Sequence, residues 1–158
     1  GLVTAPAAAA APASSPSAAV VTTSLKPARQ VIFDQQLVTY VNQARASAGL
    51  RPLVASTGLA RTASYWSVQM IRGNTGGTLA HNPDLRQMVL TNLKTQLVTW
   101  GENVASFSGG YTARDIFNLY MSSPGHRANI LNPRYRYIGA VTVAGGAPTA
   151  FNTMNFAG

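Results

Sequence analysis

Cysteine is absent from this 158-residue sequence, which excludes disulfides, thiolate nucleophiles and cysteine-bound metals. Ionisable residues are also scarce, because charged residues make up 10% of the chain against a usual ~25%. The chain has four acidic residues and two histidines: Asp34, Asp84, Glu102 and Asp115, with His81 and His126. The chain is therefore poor in carboxylates and imidazoles that could act as an acid or a base.

Long apolar runs are absent as well. No proline-free stretch of 18 apolar residues occurs, so the sequence predicts no membrane span. The first residues also lack the charged and apolar regions of a signal peptide. We expect a protein of the cell envelope or the exterior whose signal peptide, if one existed, has been removed.

The charge balance is strongly basic, with 12 Lys and Arg against 4 Asp and Glu and a net charge of +8. Such a balance favours association with anionic surfaces such as wall polymers or acidic lipids, although it can also serve solubility alone. The basic residues are dispersed and no stacking motif interleaves them, so we expect no nucleic-acid binding.

The chain divides at about residue 30. Residues 1–30 are rich in Ala, Pro and Ser and predict a flexible arm, because they offer few large apolar groups to offset the entropy of ordering. Residues 31–158 have the texture and length of one globular domain. Apolar residues recur at helical spacing from Phe33, from Leu59 and from Ile116.

The end of the chain has a different pattern. "YIGAVTVAGG" and "AFNTMNFAG" predict two strands joined by a turn at residues 145–148, and "WGENVAS" predicts an earlier extended segment. Helices first and antiparallel strands last indicate the α+β class.

The segment "SPGHRANIL" begins another helix. Ser123 is a candidate N-cap and Pro124 suits the first helical position, so His126 lies in the first turn. The partial positive charge of a helix start favours the neutral imidazole that a general base or a metal ligand needs. A histidine that only forms hydrogen bonds in the core is the alternative.

Two further residues extend this candidate site. His81 in "AHNP" and Glu102 in "WGENV" lie near predicted element ends, where sites are commonly built. Two imidazoles and one carboxylate form a minimal metal set or an acid–base set, but nothing in the spacing brings them together.

"AHNP", "GENVA" and "YMSSPGHRANILNPRYRYIGA", in this order, resemble the CAP superfamily of cysteine-rich secretory, antigen 5 and pathogenesis-related proteins. The resemblance covers roughly residues 31–158. It implies an α-β-α sandwich with a central antiparallel sheet, and a cleft with two histidines and two glutamates that can hold a divalent metal such as zinc.

His81, His126 and Glu102 match three of those four cleft positions. The second glutamate falls near Ser123, where this chain has no carboxylate. The resemblance thus predicts His81, Glu102, Asn103, Ser123 and His126 as ligand-binding residues. Of these, His81, His126 and Glu102 are the candidate metal ligands, and no cofactor is required.

Side chains near this cleft have more than one interpretation. Asn103 can be a turn residue and Ser123 only a cap, while Arg127 can meet anionic ligands or remain a solvated surface residue. Trp100, Tyr111 and Tyr120 are candidates for an apolar cavity, with core packing favoured for Tyr120.

Two functions remain open. One is a monomeric, secreted protein that binds a lipid or sterol-like ligand in an apolar groove between helices. The other is a cell-wall enzyme, either a peptidoglycan hydrolase or a lytic transglycosylase, with Glu102 as acid/base and His126 as its aid. The remaining acids have structural explanations at helix starts, which leaves Glu102 without a carboxylate partner. Serine hydrolysis by Ser123 is disfavoured, because no nucleophile-elbow motif surrounds it.

Overall fold

A computed structural model describes residues 19–93, 99–108, 110–145 and 149–158 of the chain. Within these residues lie five helices and four strands. They are α1 (Ala19–Ser47), β1 (Val54–Ala55), α2 (Thr57–Ile71), α3 (Leu85–Leu93), β2 (Trp100–Ser108), α4 (Ala113–Ser122), α5 (Pro124–Ile130), β3 (Tyr137–Ala144) and β4 (Thr149–Ala157).

Helix α1 begins before the predicted domain boundary. It starts at Ala19, so residues 19–30 of the segment predicted as a flexible arm are helical. Residues 1–18, the rest of that segment, lie outside the described residues. The helix ends at Ser47, and Gly49 follows with a φ of 72°, the left-handed conformation that suits glycine.

Two helix starts follow from their local sequence. At α2, the Ser56 hydroxyl accepts a hydrogen bond from Leu59 N at 3.2 Å, as its predicted N-cap role requires. At α4, Thr112 and Asp115 form a reciprocal capping box. Asp34 was also predicted to cap a helix start, and this prediction is wrong because α1 begins fifteen residues before it.

The strands form one mixed sheet in the order β1-β3-β4-β2. β2 and β3 both pair antiparallel with β4, whereas β1 pairs parallel with β3 over two residues only. The predicted central antiparallel sheet is therefore correct for its three long strands. The predicted turn between β3 and β4 lies largely outside the described residues.

Helices cover both faces of this sheet, which makes the α+β sandwich that the resemblance implied. α1 and α4 pack over one face, where Leu37, Ile116 and Tyr120 of the helices share a core cluster with Met154 and Phe156 of β4. α2 packs over the other face through Trp66 and Met70, against Val104 and Phe151. None of the described helices is long and apolar enough to cross a membrane.

Candidate functional site

Glu102 lies on β2 and is fully buried. Its Oε1 accepts hydrogen bonds from His81 Nδ1 at 3.0 Å and from the Asn82 backbone N–H at 2.8 Å. Its Oε2 accepts from Asn155 Nδ2 at 2.9 Å. Asn155 is the β4 residue in register with Glu102, so the sheet pairing itself supplies this donor. Three donors therefore hold the carboxylate in one orientation.

The loop before α3 brings His81 to this carboxylate. Trp66 Nε1 donates to the Ala80 carbonyl at 2.7 Å and fixes the backbone next to His81. On the other side, Asn82 Oδ1 accepts from Asp84 N at 3.0 Å and begins the turn into α3. His81 is thus positioned from both neighbours, and its side chain is 14% exposed.

The contact with Glu102 also determines which nitrogen of a neutral His81 ring carries the proton. A carboxylate oxygen accepts, so Nδ1 donates and Nε2 keeps its lone pair. Nε2 is buried and has no hydrogen-bond partner among the described residues. A carboxylate-oriented imidazole with an available lone pair has the form of a general base.

His126 lies in α5 and is fully buried. Its ring packs edge-on against Tyr120, with 5.1 Å between the ring centroids. Its backbone carbonyl accepts from Asn103 Nδ2 at 3.1 Å. Asn129, also in α5, donates to Asn103 Oδ1 at 2.9 Å and to the Glu102 carbonyl at 3.2 Å. α5 is thus anchored to β2 through buried amides.

Two sets of hydrogen bonds involve the predicted residues. Glu102 and Asn103 are neighbours on one strand, so their side chains leave opposite faces of the sheet. Glu102 is bonded to His81, while Asn103 is bonded to the backbone of His126. Asn103 is a strand residue, not a turn residue, and its amide is occupied in holding α5.

Ser123 occupies the N-cap position of α5, and Pro124 follows at the helix start as predicted. The Ser123 side chain makes no capping hydrogen bond, so the predicted use of its hydroxyl as a cap is wrong. Its backbone is extended, with φ −101° and ψ 120°, and this non-helical conformation separates α4 from α5.

The residues proposed as metal ligands do not fit a metal site as they are placed. Both carboxylate oxygens of Glu102 already accept from protein donors. Within the described part of the chain, no three His, Asp or Glu side chains are grouped so that they could hold a metal ion. The zinc expectation for His81, His126 and Glu102 gains no support from this arrangement.

The aromatic residues near the cleft differ in burial. Tyr120 is fully buried in the core, the position that the sequence favoured for it. Trp100 is 38% exposed with the Arg86 guanidinium above its ring, and Tyr111 is 36% exposed beside Phe107. Trp100 and Tyr111 therefore lie toward solvent.

A concavity lies away from these residues, between α1, the start of α2 and the outer edge of β3. This groove has a volume of about 650 Å³ and walls that are mostly apolar. Its lining includes Val38 from α1, Ala60 and Ser64 from α2, and residues 138–143 of β3. We call it the edge groove.

Asp34, also a lining residue, supplies a carboxylate to this groove. Its Oδ1 accepts from Thr142 Oγ1 at 2.6 Å and its Oδ2 from Thr142 N at 3.0 Å. Burial raises the pKa of Asp34 to about 7, which the two Thr142 hydrogen bonds only partly offset. The sequence interpretation missed this residue, although an acid at an inward position of a helical repeat was a signal.

Comparison with known proteins places the chain among bacterial relatives. It is 30% identical over 130 residues to the uncharacterized protein YkwD of Bacillus subtilis, covering 80% of this chain and 48% of that protein. The chain therefore spans about half the length of this curated relative.

Solved structures share the fold. A cysteine-rich secretory protein of Staphylococcus aureus superposes with a TM-score of 0.62 at 21% identity, over 83% of this chain and 38% of that one. An outer surface protein of Borrelia burgdorferi gives 0.65 at 17% identity, over 78% of this chain and 90% of that one. An extracellular protein of Bacillus anthracis that contains an SCP domain gives a TM-score of 0.65 at 24% identity, over 81% of this chain and 41% of that one.

A family model also matches the chain. Residues 38–156 match the model described as the CAP, or cysteine-rich secretory protein, family. This range contains His81, Glu102 and His126, the residues on which the sequence resemblance depended. It runs from the last third of α1 through the other four helices and the sheet to Phe156 in β4. The chain belongs to the cysteine-rich secretory protein (CAP) family.

Proposed function

We propose that this protein is an extracellular CAP domain that binds a small, apolar, lipid-like molecule in the edge groove. The observation that carries the proposal is the groove itself, whose volume of about 650 Å³ lies within the roughly 300–1,000 Å³ of small-molecule sites. Mostly apolar walls with a few polar groups are also the usual lining of such sites.

An extracellular location is supported by the relatives. The structural neighbours are described as a secretory protein, an outer surface protein and an extracellular protein. A basic chain with a net charge of +8 is suited to remain near anionic wall polymers or lipid head groups. Detection of the protein in cell-wall and culture-supernatant fractions, and not in the cytosol, tests this part of the proposal.

Calorimetric titration with decan-1-ol, a neutral amphiphile, tests the groove. We expect saturable binding with a negative heat-capacity change, because apolar surface is buried. Ser64→Trp places an indole against the α2 wall of the groove and should weaken binding at least about tenfold, the effect of losing roughly 1.4 kcal/mol. Ser47→Trp, on an exposed helix end outside the groove, is the matched control.

Equal binding by wild type and Ser64→Trp would show that decan-1-ol binds at another surface. No binding by the wild type would remove the binding proposal. Zinc titration with the same proteins tests the separate metal expectation.

A second candidate function is cell-wall hydrolysis, and the arrangement of His81 favours it. The buried Nε2 and the Nδ1 contact with Glu102 make His81 the candidate base. Glu102 is then a positioning residue rather than the acid/base, because both of its carboxylate oxygens already accept hydrogen bonds from protein groups.

Release of soluble muropeptides from purified cell wall tests this candidate. Activity that is lost in His81→Gln and retained in Asp84→Asn, a charge change at an exposed position, would support it. For Glu102→Gln we expect partial loss with an altered pH profile, since Gln can still accept from Nδ1 but no longer holds a charge beside the ring. If the wild type releases no muropeptides, hydrolysis is excluded and only the binding proposal remains.

A further inference from the structure

The lining of the edge groove contains one charged side chain, Asp34; its other lining residues are uncharged. Among the described residues no cation pairs with this carboxylate, although the chain carries 12 basic residues. Desolvating a carboxylate without a counterion costs free energy that a cation brought by a ligand can recover. The groove therefore combines apolar walls with an unmatched negative group.

The hydrogen bonds behind Asp34 all point toward it. Tyr120 donates to Asn152 Oδ1 at 2.7 Å, and Asn152 Nδ2 donates to Thr142 Oγ1 at 3.0 Å. Thr142 then donates its hydroxyl proton to Asp34 Oδ1, and its backbone N–H to Oδ2. Each of these groups donates a hydrogen bond to the next one. Asp34 stands at the end of the series and accepts.

Asp34 also has acceptor capacity left over. A carboxylate offers about four lone-pair sites, and Thr142 occupies two of them. Two sites therefore remain, and an ammonium group, with three donors and a full positive charge, can fill both of them. Carboxylate or phosphate head groups would instead be repelled.

We propose that the edge groove selects amphiphiles that carry a primary ammonium group, with Asp34 as the counterion and the apolar walls covering the hydrocarbon. This inference rests on the proposed function, since it names the ligand class of the same groove. It assigns Asp34 as the specificity-determining residue.

A peptide strand is a less suitable occupant. Beyond Ile138, the outer edge of β3 has no strand partner among the described residues, so a strand could in principle be added there. The Thr142 amide, which such a strand would need, already donates to Asp34. A charged side chain placed against a sheet edge in this way blocks edge pairing.

The experiment compares decylamine with decan-1-ol by calorimetric titration at pH 8.5, where an alkylamine remains protonated. The two probes have the same chain, so their affinity ratio isolates the head group. We expect the wild type to bind the amine about tenfold more tightly than the alcohol, the size of one charge-assisted hydrogen bond. Asp34→Asn should bring the ratio close to one while retaining the alcohol, and Asp84→Asn should keep the wild-type ratio.

A pH series on the wild type provides a readout without mutation. The amine preference should fall as the solution passes from pH 8.5 to pH 5, since Asp34 then gains a proton and loses its charge. No other lining residue titrates in this range. Tyr120, reached through Asn152, stays protonated because burial and the nearby carboxylates raise its pKa further above 10.

The outcomes separate the two proposals. Equal binding of both probes by the wild type would overturn the amine inference and leave the groove as a lipid site. Persistence of the preference in Asp34→Asn would overturn the assignment of Asp34. Binding of neither probe would remove the groove as a ligand site, and the amine inference with it.

Discussion

Replacing Arg45 should destabilise the protein more than any other single change of a charged residue that we consider. Arg45 lies in the last turn of α1 and is 1% exposed. Its guanidinium donates to four backbone carbonyls. They belong to Arg51 at 2.9 Å, Ile130 at 2.9 Å, Asn132 at 2.9 Å and Tyr135 at 3.4 Å. One side chain thus joins the end of α1 to the segment that follows α5.

The magnitude follows from what Arg45→Met leaves behind. Methionine fills most of the volume but has no donor, so four carbonyls lose their partner. Each unsatisfied buried acceptor costs about 1–3 kcal/mol. Part of this loss is offset, because the variant no longer buries a cation and the carbonyls nearer the surface can meet water. We expect a net loss of about 3–5 kcal/mol in the free energy of unfolding, or roughly 10 °C in Tm.

Urea unfolding followed by circular dichroism measures this effect, and two further variants define its cause. Arg61→Met makes the same change at an exposed position of α2 and should stay within about 0.5 kcal/mol of the wild type. Arg45→Lys keeps the charge but not the planar fork, so we expect it to recover less than half of the loss. Wild-type stability of Arg45→Met, or full recovery by Lys, would refute the argument from the four carbonyls.

Three further predictions concern the sheet and its two buried carboxyl groups. The wild type should lose stability as pH rises from about 4, where an unfolded Asp titrates, to about 7, the pKa of Asp34 in the folded protein. Urea titrations at several pH values measure this loss, and it should be absent from Asp34→Asn. Gly139→Ala should cost about 2–3 kcal/mol, because its Cβ would collide with the backbone of α2. The same change at Gly110, where nothing lies within 4 Å, should have almost no effect in thermal unfolding. Glu102→Ala should free Nδ1 of His81 and shift its proton toward Nε2, which ¹⁵N NMR of the imidazole would detect as a change in tautomer.

Much of the fold could be predicted because its elements are encoded locally. The Ser56 cap, the apolar spacing of α2 and the alternation in β3 and β4 all lie within a few residues of the elements they define. The start of α1 at Ala19 was not predicted, because the Ala-, Pro- and Ser-rich composition of residues 1–30 favours an arm over that whole segment.

The site was harder to predict because its contacts are long-range. His81 and Glu102 meet across 21 positions, through a loop fixed by Trp66 and a strand in register with Asn155. Only the family resemblance could pair them beforehand. Asp34 and Thr142 are 108 positions apart, and no motif connects them. A donor and an acceptor that far apart become partners only once the sheet order is known.

The four acids of this chain have separate physical roles. Asp84 and Asp115 are exposed near helix starts, and the Asp115 carboxylate accepts from the Thr112 backbone N–H and hydroxyl. Glu102 is enclosed by three protein donors and has no exposed surface, so it orients His81 and has little opportunity to contact a ligand directly.

Asp34 alone combines partial burial, a missing counterion and an adjoining cavity. The fully buried Arg45 does not neutralise it, because Arg45 lies eleven residues farther along α1, about 16 Å at the helical rise, and its guanidinium donates to backbone carbonyls. The interior therefore keeps its cation and its carboxylates apart and satisfies each with neutral groups. This separation leaves the charge of Asp34 available to a ligand, which is why the edge groove is the place where a cationic partner gains most.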